Sequence, residues 1–162
     1  MENLSLRFPG AMLLSYFIAI LLSIIHLPLD LQAWRPEWLA LVIIHWAIFF
    51  PKKINYLHSI ITGLFLDSLY GNTLGLHALG LIAVQFIAIR LTERISPKTI
   101  LQHLFIVTIT IASYLLINLW IRNLTQDNPT DWSYWLPLIS SLLFWPIVHT
   151  LMKNLQTSRT SL

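Results

Sequence analysis

The chain has no cysteine among its 162 residues, which excludes a disulfide, a thiolate nucleophile and a Cys-ligated metal. Charge is scarce: Asp, Glu, Lys and Arg make up 10% of the residues, against about 25% in ordinary soluble domains. No Gly-rich phosphate loop and no nucleophile elbow occurs. The six histidines (His26, His45, His58, His77, His103 and His149) include no pair at i, i+3 or i, i+4. Zinc spacings and the two-His helix motif are therefore missing, and neither a metal nor another cofactor is expected. Ser, His and Asp all occur, but no spacing brings them together. The expectation is a non-enzymatic protein.

What the chain has in abundance is apolar sequence, 56% of its residues. A soluble fold of this length could not bury so much; a membrane can. Six apolar stretches lie near 10–28, 34–51, 54–70, 74–91, 100–121 and 133–152. If each crosses once, the connections fall alternately on two sides. Side one then carries Arg7, Lys52, Lys53, Arg90, Arg94, Lys98, Lys153 and Arg159; side two carries only Arg35 and Arg122, with Asp30, Glu37, Asp127 and Asp131. Basic loops stay cytoplasmic, so both termini are expected inside. The net charge of +3 is thereby explained by orientation and anionic headgroups, and no nucleic-acid partner is expected.

An all-α integral membrane protein follows, because backbone groups in hydrocarbon must be paired within the chain. Residues 1–152 are expected to form one six-span domain, followed by a disordered cytoplasmic tail at 153–162. The first stretch reads as a retained span, since Ile24-Ile25-His26-Leu27-Pro28 offers no small-residue cleavage site. The second and third stretches are the shortest in apolar content, with a re-entrant pair as the alternative; Lys52-Lys53 between them favours two crossings. Trp34, Trp38, Tyr70, Trp120, Trp132, Tyr134 and Trp135 cluster at the outer ends, where amphipathic rings belong. Trp46 and Trp145 lie deeper, as packing residues. Pro146 should kink the last span.

Four features invite a role. Ala11, Ser15, Ala19 and Ser23 recur every four residues and let another helix approach closely, either a partner's or one of the chain's own. Asp67 is the one acidic residue expected inside a span, where a carboxylate costs about 2.5–3.5 kcal/mol at the centre. It reads as a structural anchor for the Gly-rich turn that follows, or as a proton or cation site. Gly63, Asp67, Gly71 and Gly75 share its four-residue spacing. Arg35 opposes the orientation signal, so a specific partner is expected for it, with Asp30 and Asp67 on the same side. Pro36 suits a first helical turn, and Glu37 there complements the helix dipole.

Arg35-Pro36-Glu37-Trp38-Leu39, then Trp46 and Pro51, then Gly63, Asp67, Gly71 and Thr73-Leu74-Gly75 resemble the rod shape-determining MreD family. The motifs cover about 34–80; elsewhere the agreement is in hydropathy. The resemblance implies a subunit of the cell-elongation machinery in the bacterial inner membrane, supporting lateral peptidoglycan synthesis. It implies a bitopic MreC-like partner. Through that partner it implies links to an MreB-like filament, a RodA-like synthase and a penicillin-binding protein. It also implies a six-helix bundle resembling the substrate-binding subunits of energy-coupling-factor transporters. Arg35, Pro36, Glu37, Trp38, Gly63, Asp67, Gly71 and Gly75 become candidates for structural or partner-binding roles. A second reading, a small-molecule-binding transporter subunit, predicts an outward cavity lined by polar groups such as Asn118, Gln85 and His77.

Overall fold

The computed structural model describes residues 3–25, 28–71, 74–125 and 131–157. All regular structure among them is helical: α1 (Asn3–Ile24), a single turn α2 (Leu29–Gln32), α3 (Trp38–Phe49), α4 (Tyr56–Tyr70), α5 (Leu76–Ile95), α6 (Ile100–Thr125) and α7 (Leu136–Thr157). A 3-10 turn at Trp132–Trp135 leads into α7. Six of these helices coincide with the six apolar stretches.

The bundle is organised around α3. Leu39 through Ile48 are all buried, on every face of the helix. A helix apolar all round needs apolar neighbours all round, and α1, α5, α6 and α7 supply them. The remaining long helices form the wall, α4 against α5, α5 against α6 and α6 against α7. Their outer faces are apolar: Leu13 and Phe17 on α1, Ile61 and Phe65 on α4, Phe86 on α5, Phe105 and Leu116 on α6, and Leu143 and Ile147 on α7 are exposed. Polar groups lie inside, among them Ser59, Asp67, Gln85, Thr110 and Ser141. Apolar outside and polar inside suits hydrocarbon as the surrounding solvent.

Three segments are long and apolar enough to cross a membrane: Leu76–Ile95, Ile100–Leu124 and Trp132–Leu155. At 12 residues α3 is about 18 Å long, short of the roughly 30 Å hydrocarbon core. Its short length is compatible with its place inside the bundle, where protein surrounds Leu39 through Ile48.

The small-residue stripe is used within the chain. Ala11, Ser15, Ala19 and Ser23 are all buried, and α1 packs there against α3. Trp46 Nε1 donates to Ser15 Oγ at 2.9 Å, and that hydroxyl donates to the Met12 carbonyl at 2.7 Å. Trp46 and Trp145 are both fully buried, in the packing role expected of them.

Three local expectations need correction. Pro36 is not in the first turn of α3. Glu37 is the N-cap, and its backbone N–H donates to Ser141 Oγ on α7 at 3.0 Å, which fixes the chain in a non-helical conformation before Trp38. The helix α5 runs a turn past the expected end, to Ile95, where Ser96 adopts a left-handed conformation ahead of Pro97. The expected disordered tail begins too early, since α7 continues to Thr157; Met152 is buried and Leu155 packs on the core, holding that turn. Residues 158–162 lie outside the described residues. Pro146 sits within α7 as expected and leaves the Leu142 carbonyl without its usual i+4 donor.

The α1–α3 contact gives a first prediction. Ala19→Leu forces extra volume into the buried face of α1 and should cost about 1–3 kcal/mol. Leu13→Ala, on the exposed face of the same helix, should change stability little. Thermal unfolding of the detergent-purified variants measures both.

Candidate functional site

The four-residue spacing of Gly63, Asp67, Gly71 and Gly75 encodes the hairpin between α4 and α5. Gly63 and Asp67 lie one turn apart on the face of α4 that meets α5. A Cβ at Gly63 would collide with the Ala78 backbone, 2.6 Å from its amide nitrogen, so only glycine permits this approach. Gly71 ends α4 at φ 64°, with its N–H on the Asp67 carbonyl, and Gly75 begins α5 at φ 98°. Both conformations are left-handed, where a Cβ is strained.

Asp67 joins the two helices. Its carboxylate is fully buried and accepts three bonds: from Gly75 N–H at 2.8 Å, from His77 N–H at 3.0 Å, and from His77 Nδ1 at 2.7 Å. The first amides of a helix have no partner within it. Asp67 satisfies two of those opening α5, from the preceding helix rather than from the usual capping position. This geometry assigns Asp67 to anchoring the turn.

Arg35 does not pair with Asp67, whose oxygens are occupied by α5. Its Nη2 donates instead to the Leu22 carbonyl at 3.3 Å and to the Tyr70 hydroxyl at 3.0 Å. Tyr70 in turn donates to the Ser23 carbonyl. The last turn of α1 is thus held by one residue preceding α3 and one ending α4, with a cation at the negative end of the helix dipole. The Asp30 side chain lies outside the described residues.

Beside this junction opens a cleft of about 360 Å³. Arg35, Glu37, Tyr70, His77, Tyr114 and Arg122 give it its polar lining, and Pro36, Leu39, Leu66, Leu81 and Pro137 its apolar part. The Glu37 carboxyl lies in the electrostatic field of Arg35 and Arg122. Tyr114 lies against Gly80, where a Cβ would come within 2.7 Å of its ring.

Of the polar groups expected in an outward cavity, His77 lines the cleft. Asn118 is buried outside the cleft lining, and Gln85 lies elsewhere, fully buried and accepting from Ser59 Oγ at 2.6 Å. Tyr114 and Arg122 were not singled out by sequence. Arg122 carried a signal, as the second basic residue on side two; Tyr114 carried none. Trp38 lies apart from the cleft lining and packs edge-on to Phe144, with ring centroids 5.2 Å apart.

At the opposite end of the bundle, α3, α6 and α7 bring together histidines that are far apart in sequence. His149 lies 5.5 Å from His45 and 5.7 Å from His103 between ring centroids, with Phe49 stacked on His149. Among the described residues no group of three or more His, Asp or Glu is arranged to hold a metal ion.

The hairpin yields a ranked prediction. Asp67→Ala leaves two backbone amides and a ring nitrogen without their acceptor and should cost about 1–3 kcal/mol or more. Gly63→Ala should cost a similar amount by overpacking, and Gly71→Ala about 1–2 kcal/mol through backbone strain alone. Asp67→Asn, which keeps one acceptor oxygen, should be milder than Asp67→Ala. Thermal unfolding of the four variants tests the order.

The family model for the rod shape-determining protein MreD matches residues 6–155. The rod shape-determining protein MreD of Haemophilus influenzae is 31% identical over 146 residues, covering 89% of this chain and 90% of that one. No solved structure matches, so the likeness to energy-coupling-factor subunits has no structural counterpart. With the match spanning all six long helices and the Gly/Asp hairpin, the chain belongs to the MreD family of rod shape-determining proteins.

Proposed function

We propose that this protein is a non-enzymatic, six-span subunit of the cell-elongation machinery in the bacterial inner membrane. In this reading both termini are cytoplasmic, and the bundle supports lateral peptidoglycan synthesis by binding a bitopic MreC-like protein and, through it, the filament and synthase components. The observation that carries the reading is membership of a shape-determining family across nearly the whole chain. Two features support it. The eight-to-two division of basic residues orients six crossings. The helices of the wall present apolar faces, which serve for lipid and for partner helices alike. The Asp67 hairpin enters this function indirectly, by fixing how the outer end of the bundle is shaped for a partner.

The outer cleft favours a second reading, a small-molecule-binding membrane subunit. A ligand co-purifying in near-equal amount would mark it.

Depletion in a rod-shaped host, followed by microscopy of cell width, tests the first reading. Rods should swell toward spheres and recover with the wild-type chain. Asp67→Ala should rescue poorly and Leu13→Ala fully. Unchanged shape after depletion would overturn the proposal. A reporter fused after Leu162 should be active only in the cytoplasm.

A further inference from the structure

His77 meets Asp67 with one ring nitrogen and lines the cleft with the rest of its ring. The Asp67 carboxylate already accepts from the Gly75 and His77 amides, so the hydrogen of its 2.7 Å contact with Nδ1 sits on the imidazole. A neutral ring held in this way keeps its lone pair on Nε2. That nitrogen bonds to no described residue and is not enclosed; the side chain is 15% exposed. A fully buried carboxylate thus fixes the tautomer of an open acceptor. Glu37 brings a second acceptor, its carboxyl, to the same cleft. Arg35 supplies donors: Nη2 bonds the Leu22 carbonyl and the Tyr70 hydroxyl, and the guanidinium carries further N–H groups. The Tyr70 hydroxyl is occupied by Ser23 and Arg35, so what Tyr70 can present is its ring. That ring lies 5.5 Å from His77 between centroids, and Tyr114 follows at 6.5 Å from His77.

We infer that this cleft takes an uncharged, hydroxyl-rich ring, a sugar unit, with one hydroxyl donating to His77 Nε2 and others meeting Glu37 and Arg35. A hydroxyl donates and accepts at once, which acceptors beside donors require. The C–H faces of such a ring suit the aromatic surfaces of Tyr70 and His77. Charged ligands fit less well. An anion would set its oxygens against the Nε2 lone pair and the Glu37 carboxyl. A cation would meet the Arg35 guanidinium, whose hydrogen bonds go to neutral groups. The volume, about 360 Å³, falls at the lower end of the range for small-ligand sites. It suits a small glycoside rather than a large cofactor. The sugar belongs either to a soluble compound or to the head of a lipid. The inference rests on the small-molecule reading of the cleft and not on the scaffold reading.

The test uses the full chain in an amine-oxide detergent, whose head carries no sugar. Diethyl pyrocarbonate acylates accessible neutral imidazoles, and mass spectrometry of the digested chain reports each histidine separately. His77 should react at neutral pH. One arm titrates methyl glycosides of glucose, galactose and mannose; the other titrates the octyl glycosides of the same sugars. Saturable slowing of the His77 reaction by a methyl glycoside assigns a soluble source, and slowing by an octyl glycoside alone assigns a lipid head. His58, near the start of α4 and away from the cleft, should react at the same rate throughout. Glu37→Ala should weaken the apparent affinity about tenfold or more. The start of α3 uses the backbone N–H of Glu37, which that substitution keeps. Lys52→Gln, beyond the other end of α3, should bind as wild type does. An unreactive His77, no protection in either arm, equal protection of His58, or unchanged affinity in Glu37→Ala would overturn the proposal. A co-purifying ligand without a hydroxylated ring would keep the small-molecule reading and remove this inference. None of these results bears on the cell-width experiment.

Discussion

Unpaired backbone amides cannot be left in an apolar environment, and the start of α5 is where this constraint bears most heavily on the fold. Two of its opening N–H groups are answered by a carboxylate that is itself fully buried. The arrangement works only if α4 and α5 nearly touch, which Gly63 allows, and if the chain reverses sharply between them, which Gly71 and Gly75 allow. Distance, turn and cap are therefore one requirement distributed over four residues. With the hairpin set, Tyr70 stands where it can reach the end of α1, and Arg35 can bond both. The cleft is a by-product of the same junction, since its walls are the residues that close it.

The second constraint is the apolar circumference of α3. A helix without a polar face cannot sit at a water boundary, so four neighbours enclose it. Its start is fixed by Ser141 from α7 and its middle by Trp46 on Ser15. These are among the few directional bonds in an otherwise apolar core. They specify which face of α3 meets which neighbour, where dispersion alone distinguishes weakly among similar apolar packings.

Helix number and approximate extent were legible because long apolar runs between charged turns admit little else. The hairpin was legible too, since Asp67, Gly75 and His77 lie within ten residues and their chemistry is local. The burial of α3 was not. In a membrane protein, lipid-facing and core-facing residues are both apolar, so hydropathy does not tell a central helix from a peripheral one. The position of Pro36 was misread because a distant serine takes the Glu37 amide. Arg35 opposes the orientation signal, and it bonds the end of a helix and Tyr70 rather than a carboxylate. The cleft and the trio of His45, His103 and His149 join residues separated by several helices, and no spacing rule reaches across such distances.

Order of synthesis gives the Asp67 cap a further meaning. Asp67 precedes Gly75 by eight positions and His77 by ten, so the acceptor leaves the ribosome before the donors it will satisfy. When α5 begins to form, the group that completes its first turn is already tethered one helix away. The hairpin can therefore enter the bilayer with its polar atoms already matched. A cap supplied from α6 or α7 would have left α5 waiting, its amides bare, until the rest of the chain had been made.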